Sequence, residues 1–447
     1  MAQHDPTSPR PVPRPPRGPG VTPTPEPAPV PGPAHDPDPA PQPERTTALT
    51  LGVVATSRKP DELRLPIHPD HLSRIDADLR ARMVLEEGYG SRFGVDDAAL
   101  RSLVGRIAPR AEVLATCDVV LLPKPQAADL AELPVGTVLW GWPHCVQDPE
   151  VTQLAIDRRL TLIAFEAMNH WNRDGGFGLH VFHKNNELAG YSSVLHALQL
   201  AGVTGDYGRR LTAVVIGFGA TARGAVTVLN AHGVHDVRVL THRDVAAVAS
   251  PIHSAQIVHL DQDPASPETC QVLTEDGPVP LAPYLAQSDV VVNCTLQDTA
   301  APLTFLQTED LAAFRSGSVI VDVSCDEGMG FSWARPTSFA DPVFTVGQGV
   351  LYYGVDHSPS HLWDSATWEI SEAVLPFLRT VLDGPRAWEA DDTVRRAIEI
   401  SDGQVRNADI LMFQGRAAEP PHQILTAGAR TATATVADGA ESRVRAG

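Results

Sequence analysis

The chain has 447 residues, 43% of them hydrophobic, and a formal net charge of −19 at pH 7. That is enough chain for two or three domains with ordinary cores, and too acidic a surface for a nucleic-acid or anionic-membrane partner, although a local basic pocket remains open to it. Five scattered cysteines without a CxxC pair, no apolar run of membrane length and no signal-like opening point to a reducing cytoplasm, with no disulfide framework and no metal site.

Residues 1–47 are dominated by proline and cannot bury enough apolar area to offset their ordering entropy, so a disordered tail with polyproline II character is expected. Short apolar runs follow at LTLGVVAT (49–56), DVVLLPKP (118–125), TVLWGWPHC (137–145) and LTLIAFEAM (160–168). Charged, helix-permissive segments at 71–88 and 149–159 separate some of them. Such alternation indicates parallel sheets with helices on both faces. A helix over 187–202 leads into LTAVVIGFG, and five further strand candidates follow: VHDVRVLTHR, SAQIVHL, SDVVVNC, GSVIVDVSC and PVFTVGQGVLYY. SEAVLPFLRTVL (371–382) is amphipathic and reads as a core helix. Residues 416–447 read as a second loose tail, starting with a short ordered piece.

Residues 211–244 contain a strand, the turn GFGATARG, an alanine-rich helix and a second strand. A lone GxGxxG is weak, but this full context is that of a dinucleotide-binding turn. Gly217 permits the tight turn. Gly219 lets backbone approach a pyrophosphate, whose charge a helix N-terminus favours. Ala222 stands where a third glycine is usual, and Gly224 is expected to bring helix and sheet together. The predicted cofactor-binding residues are Gly217, Phe218, Gly219, Ala220, Thr221 and Ala222, with Thr241, His242 and Arg243 at the second strand tip and Cys294 and Thr295 after a later strand. An acid at that tip selects NAD and an Arg accommodates the 2′-phosphate of NADP. Here the acid, Asp244, comes late, so NADP(H) is preferred and NAD(H) is the alternative.

Several ordered motifs between residues 48 and 385 resemble the family of alanine dehydrogenase, saccharopine dehydrogenase and N5-(carboxyethyl)ornithine synthase. They are GVVATSRKPDELRLPIHPDHL, VLEEGYGSRFGVDDAAL, LLPKP, WGWPHCVQ, VDVSCDEGMGFSWARPTSFADPVF and YYGVDHSPS. The resemblance implies an oxidoreductase that joins or splits an amine and a 2-oxo acid through an imine. Arg64 matches the family arginine, a bidentate partner for the oxo-acid carboxylate. Lys124 and His144 match the pair that polarises the carbonyl and shuttles protons. Asp326 matches the acid near the nicotinamide, and Glu166 a secondary acid that tunes the pair. Cys145 and Cys325 flank the site as small packing residues.

Within the family, Asp356-His357-Ser358 resembles the saccharopine and carboxyethylornithine enzymes more than the Asn-Met-Pro of alanine dehydrogenases. PHC and FEAMNHW with FHKNNELAGY point the same way. The expected reaction is therefore NADPH-dependent reductive condensation of a pyruvate-like 2-oxo acid with the side-chain amine of ornithine or lysine. Asp356 and His357 are assigned to substrate, and Asp356, Glu86 and Glu87 are candidates for its ammonium. The alternatives are alanine dehydrogenase-type chemistry with ammonia, and a nucleotide-binding regulator without catalysis. The resemblance also implies a homo-oligomer and two Rossmann-like, doubly wound α/β domains with a cleft that closes on substrate. Residues 48–186 and 350–415 are expected to form the substrate domain, 187–349 the nucleotide domain, and 416–447 a flexible tail.

Overall fold

The structure, a computed structural model of the chain, describes residues 48–242, 254–261, 270–296 and 303–425. The expected N-terminal tail (1–47), the end of the expected C-terminal tail (426–447) and Arg243 lie outside them.

The fold is α/β, built on two mainly parallel sheets. In the first, six parallel strands run in the spatial order Arg106–Ala108, Met83–Glu86, Leu51–Val53, Val119–Leu121, Val138–Gly141 and Thr161–Ala164. An antiparallel hairpin, Ile398–Ser401 with Gln404–Val405, extends the last edge. The runs LGV, VVL, VLWG and TLIA are buried throughout, as strands covered on both faces must be. Segment 71–88 departs from its helical expectation. It holds the end of a 3₁₀ helix, Pro69–Arg74, and a four-residue α-helix at Ala77–Arg80, and Met83–Glu86 is a fully buried strand beside Leu51–Val53. Its charged residues masked an apolar run too short to show a period.

The second sheet repeats the plan. Gln256–Asp261, Asp236–Thr241, Thr212–Ile216, Val290–Asn293, Val319–Asp322 and Val350–Tyr353 lie parallel in that order, with antiparallel strands at both edges. Alternate residues of Thr212–Ile216 feed two cores. Val215 packs among Val226, Leu229 and Val292, whereas Val214 and Ile216 pack with Leu240, Ile320 and Tyr352. Burying each such side chain stabilises by about 1.5–3 kcal/mol. PVFTVGQGVLYY is a hairpin, Val343–Val346 and Val350–Tyr353, turned at Gly347 and Gly349 with φ of +53° and +93°. Val350–Tyr353 thus belongs to the second sheet, beyond the boundary expected at 349/350.

In each sheet the strand order is third, second, first, fourth, fifth, sixth. The chain reverses direction of travel between the first and fourth strands, where a crevice opens at the carboxyl ends. The first crevice lies beyond Val53 and Leu121, the second beyond Ile216 and Asn293. A long helix, His183–Ala201, crosses the helix Ala220–Ala231. The expected helix at 371–382 is divided at Pro376 into Trp363–Val374 and Leu378–Leu382, joined by one 3₁₀ turn. Arg416 is buried and bonded to Gln414, Gln153 and the carbonyl of His422, so the C-terminal segment stays docked through residue 425. No helix among the described residues is long and apolar enough to cross a membrane.

Candidate active site

Three neighbouring strands of the first sheet each end on a predicted site residue. Lys124 lies just past Val119–Leu121, His144 past Val138–Gly141 and Glu166 past Thr161–Ala164. Parallel register therefore brings together side chains that are twenty residues apart in sequence. Lys124 Nζ donates to His144 Nε2 at 2.9 Å. That bond places the neutral ring's proton on Nδ1, which faces Glu166 Oε1 at 3.9 Å. The same oxygen accepts the His144 backbone N–H at 2.7 Å. His144 itself has φ of +49°, a conformation rare for a residue with a Cβ and concentrated at functional sites.

Burial sets the proton affinities here. It pushes the Lys124 ammonium below the usual lysine range, against the pull of the Asp356 carboxylate, with Arg64 and Lys59 adding to the depression. Burial, then the adjacent Lys124 charge, holds His144 well below the usual histidine range. The ring nevertheless keeps 41% of its side-chain area open, so a substrate can reach it. Burial also raises Glu166 and Asp326 above the usual carboxylate range; Lys124 partly opposes both shifts. Asp326 follows Val319–Asp322 of the second sheet, so that sheet also contributes a group that feels the Lys124 charge.

Arg64 is buried, but it is not a free guanidinium. Its Nε and Nη2 donate to Glu62 at 2.8 and 2.5 Å, its Nη1 donates to Asn185 at 3.3 Å, and it lies over the Trp142 ring. Glu62 occupies one edge of the fork; one N–H on each of Nη1 and Nη2 is left for a carboxylate approaching end-on. Burial pushes the Glu62 carboxyl up, yet the Arg64 charge and hydrogen bonds outweigh it and hold it low.

Asp356 corrects an expectation. Its Oδ2 accepts from Lys59 Nζ at 2.7 Å and its Oδ1 from His357 Nδ1 at 2.8 Å, so both oxygens already carry a partner and a substrate ammonium would have to share them. His357 is buried, and its Nε2 reaches the Pro60 carbonyl at 3.0 Å. It therefore fastens the loop after Val350–Tyr353 to the segment holding Lys59, rather than facing substrate. Ser360 adds to this seam, accepting from Leu63 N and donating to the Asp61 carbonyl. Glu86 is also occupied. Its carboxylate accepts from Ala55 N, Thr56 N and Thr56 Oγ1 at 2.6–3.0 Å, while Glu87 is exposed.

Sequence reasoning missed Lys59, Glu62, Asn185 and Asp322. Asp322 is fully buried, accepting from Asn293 Nδ2 and Cys325 N on Oδ1 and from Tyr352 OH on Oδ2. Burial pushes it up to about 6 despite those bonds. Glu62 stands two residues before Arg64 and was legible as its partner; nothing in the sequence placed Lys59 beside Asp356.

In the second sheet, Gly217 has φ of +110°, and a Cβ there would come within 2.9 Å of the Cys294 carbonyl. Gly219 caps the helix Ala220–Ala231, and a Cβ on it would meet open space. That space, over the helix N-terminus, suits a pyrophosphate. Thr295 Oγ1 is buried without a hydrogen-bond partner among the described residues, and is free to meet a polar group of a nucleotide. The residues present thus fit a nicotinamide dinucleotide. Gly224 performs another task than expected. A Cβ on it would lie 1.7 Å from the Glu187 carbonyl, so it permits contact between two helices, not between helix and sheet. Thr241 at the strand tip is buried and His242 exposed.

Two domain families match in order. The alanine dehydrogenase/PNT N-terminal domain covers residues 52–189 and the C-terminal domain residues 196–408. An alanine dehydrogenase of Halomonas elongata is 25% identical over 72% of this chain and 86% of its own length. An N(5)-(carboxyethyl)ornithine synthase of Clostridium botulinum is 23% identical over 70% of this chain and 89% of its own. In fold, a solved L-alanine dehydrogenase matches with a TM-score of 0.63 at 19% identity, over 82% of this chain and 99% of that one.

Proposed function

The chain belongs to the alanine dehydrogenase/PNT family of nicotinamide-dependent oxidoreductases acting on CH–NH2 or CH–NH groups, and from that premise we propose that it reductively condenses a 2-oxo acid with an amino acid's amine. The observation that carries this reading is the Lys124–His144 pair, 2.9 Å apart, in which burial lowers the Lys124 ammonium from its usual range and keeps the His144 ring neutral, ready to accept a proton. Carbinolamine formation and water loss need one group to give a proton and one to take it near pH 7.

Arg64 receives the oxo-acid carboxylate on its remaining edge, with Glu62 fixing the plane of the fork. Lys124 donates to the carbonyl oxygen as the amine attacks. His144 takes a proton from the attacking amine and returns one to the departing water, with Glu166 holding its backbone N–H. Asp326 approaches the same centre from the second sheet. Gly217–Ala222, Cys294 and Thr295 would hold a nicotinamide dinucleotide, which when bound would supply the hydride. Thr241 and His242, with Arg243 beyond them, support NADP(H) over NAD(H), because no acid stands at the tip of Asp236–Thr241.

Asp356-His357-Ser358 resembles the saccharopine and carboxyethylornithine enzymes more than the Asn-Met-Pro of alanine dehydrogenases, and that resemblance supports an amino-acid amine over ammonia. The second reading, reductive amination with ammonia, is supported by the Halomonas elongata relative, which spans nearly the same share of the chain as the ornithine enzyme. Pyruvate and NADPH offered with either ornithine or ammonium decide between them, read by absorbance and product mass. A secondary-amine product supports condensation; turnover with ammonium alone overturns it, and the absence of turnover with every amine and oxo acid would leave a binding protein.

A further inference from the structure

Behind His144 lies a second carboxyl that the chemistry above does not use. Strand Ile398–Ser401 pairs antiparallel with Thr161–Ala164, but its register slips. Ile398 faces Ile163 and Ile400 faces Leu162, leaving Glu399 as the extra residue of a bulge. Bulges re-aim side chains beside active sites. This one leaves Glu399 5% exposed, on the strand beside the segment that carries the half-buried Glu166. Glu399 Oε1 accepts from Asn407 Nδ2 at 3.2 Å, and its backbone carbonyl takes the N–H groups of Arg406 and Asn407. Its Oε2 is buried and has no partner among the described residues, and the same is true of Glu166 Oε2. The Cys145 thiol also bonds the Glu399 carboxylate, but neither Oε2 gains a partner from it, and two orphaned carboxyl oxygens on adjoining segments are costly as two anions.

We propose that Glu399 and Glu166 hold one proton between them behind His144, which makes Glu399 a positioning residue that sets the charge with which Glu166 meets the His144 ring. The shared proton gives one orphaned oxygen a donor and spares the site a second buried negative charge. The groups facing the pair are Lys124 and His144 beside Glu166, the Cys145 thiol, which bonds Glu399 and lies near Glu166, the His180 ring on the Glu166 carbonyl, and Asp409 near Glu399. Lys124 is the cation among them whose charge favours ionisation of Glu166, and it acts from the cleft side. A proton leaving the pair therefore places added negative charge behind His144 and strengthens that ring's hold on its own proton.

The proposal rests on the reading of Lys124 and His144 as the proton-handling pair, but its test does not require turnover. Infrared titration of the whole, ligand-free chain follows the carboxylic-acid C=O band from pH 5 to 10. The wild type should lose one such band above neutrality. In Glu399→Gln, which keeps the shape and the bond to Asn407, the midpoint of that loss should fall by about one pH unit or more, because the like charge is gone. Glu166→Gln should likewise remove or lower it. A midpoint unmoved in either variant overturns the proposal. The alkaline limb of kcat/KM should shift in Glu399→Gln in parallel with the band. If no amine and oxo acid turn over, the infrared result still decides the proton-sharing on its own.

Discussion

Lys124 Nζ and His144 Nε2 stand 2.9 Å apart at the ends of adjacent parallel strands, and this one contact ties fold to chemistry. Strand register fixes the spacing, and burial fixes the proton affinities. Neither side chain needs a flexible loop to reach the other.

Lys124→Ala and His144→Ala should each lower kcat/KM by about 10²–10⁴-fold, the usual contribution of a positioned acid or base. Binding of NADPH, read by fluorescence titration, should stay close to that of the wild type, because the nucleotide crevice belongs to the other sheet. Turnover close to the wild type in either variant would remove the pair from the mechanism.

The pH–rate profile follows from the depressed proton affinities. His144 works as a base only while neutral, and burial keeps it neutral well below an ordinary histidine's ~6.5. The acid limb of kcat/KM should therefore fall below that value. Lys124 works while charged, so the alkaline limb should begin below an ordinary lysine's ~10.4. Stability carries the same signature. The unfolded chain takes up a proton at His144 near ~6.5 that the folded chain refuses, so this group weakens the fold as pH drops through that point.

Two glycines of one turn should respond oppositely to a side chain. Gly219→Val adds atoms where a Cβ meets open space, so the fold should survive while NADPH affinity falls by about tenfold or more. Gly224→Ala forces a Cβ to within 1.7 Å of the Glu187 carbonyl, so it should lower the melting temperature by several degrees. Calorimetry and nucleotide titration of both variants separate the two effects. A stable Gly224→Ala protein would mean that the helices can part at that crossing.

Asp322 titrates in the folded chain at about 6, above the unfolded value of ~3.9. Between those values the unfolded chain ionises first, so the group's contribution to stability falls as pH rises and stays low above about 6. Asp322→Asn keeps an oxygen for Asn293 and Cys325 and can turn its amide toward the Tyr352 hydroxyl. The variant should gain on the wild type, by up to about 3 kcal/mol, as pH rises from 4 to 7.5. Urea denaturation at several pH values measures this; a constant difference would show that Asp322 does not titrate in that window.

Much of this was legible in the sequence because parallel strands are buried on both faces. LLPKP, WGWPHC and LIAFEAM each show an apolar run ending in a polar residue, and strand-end placement needs nothing more. The glycine turn was equally plain. What escaped were relationships carried by distant partners. Asp356 read as an empty carboxylate because Lys59, 297 residues away, had no sequence link to it. Arg64 read as a partner for the oxo-acid carboxylate alone, although Glu62, only two residues before it, takes one edge of its fork and Asn185 another N–H from 121 residues away. Met83–Glu86 was hidden by flanking charges, and Glu399 by a register slip that no periodicity reveals.

The Glu86 carboxylate has a wider consequence. The first sheet repeats the strand order of the second, and its central strand also ends in a turn with upward-pointing N–H groups. There the N–H groups of Ala55 and Thr56 are already taken by Glu86, an anion the chain supplies from the neighbouring strand. In the second sheet no side chain caps the matching place, at Gly219. A single acidic side chain, serving as a built-in plug, thus distinguishes two copies of one architecture, closing the strand-end N–H groups of one crevice to a phosphate while those of the other stay open to one.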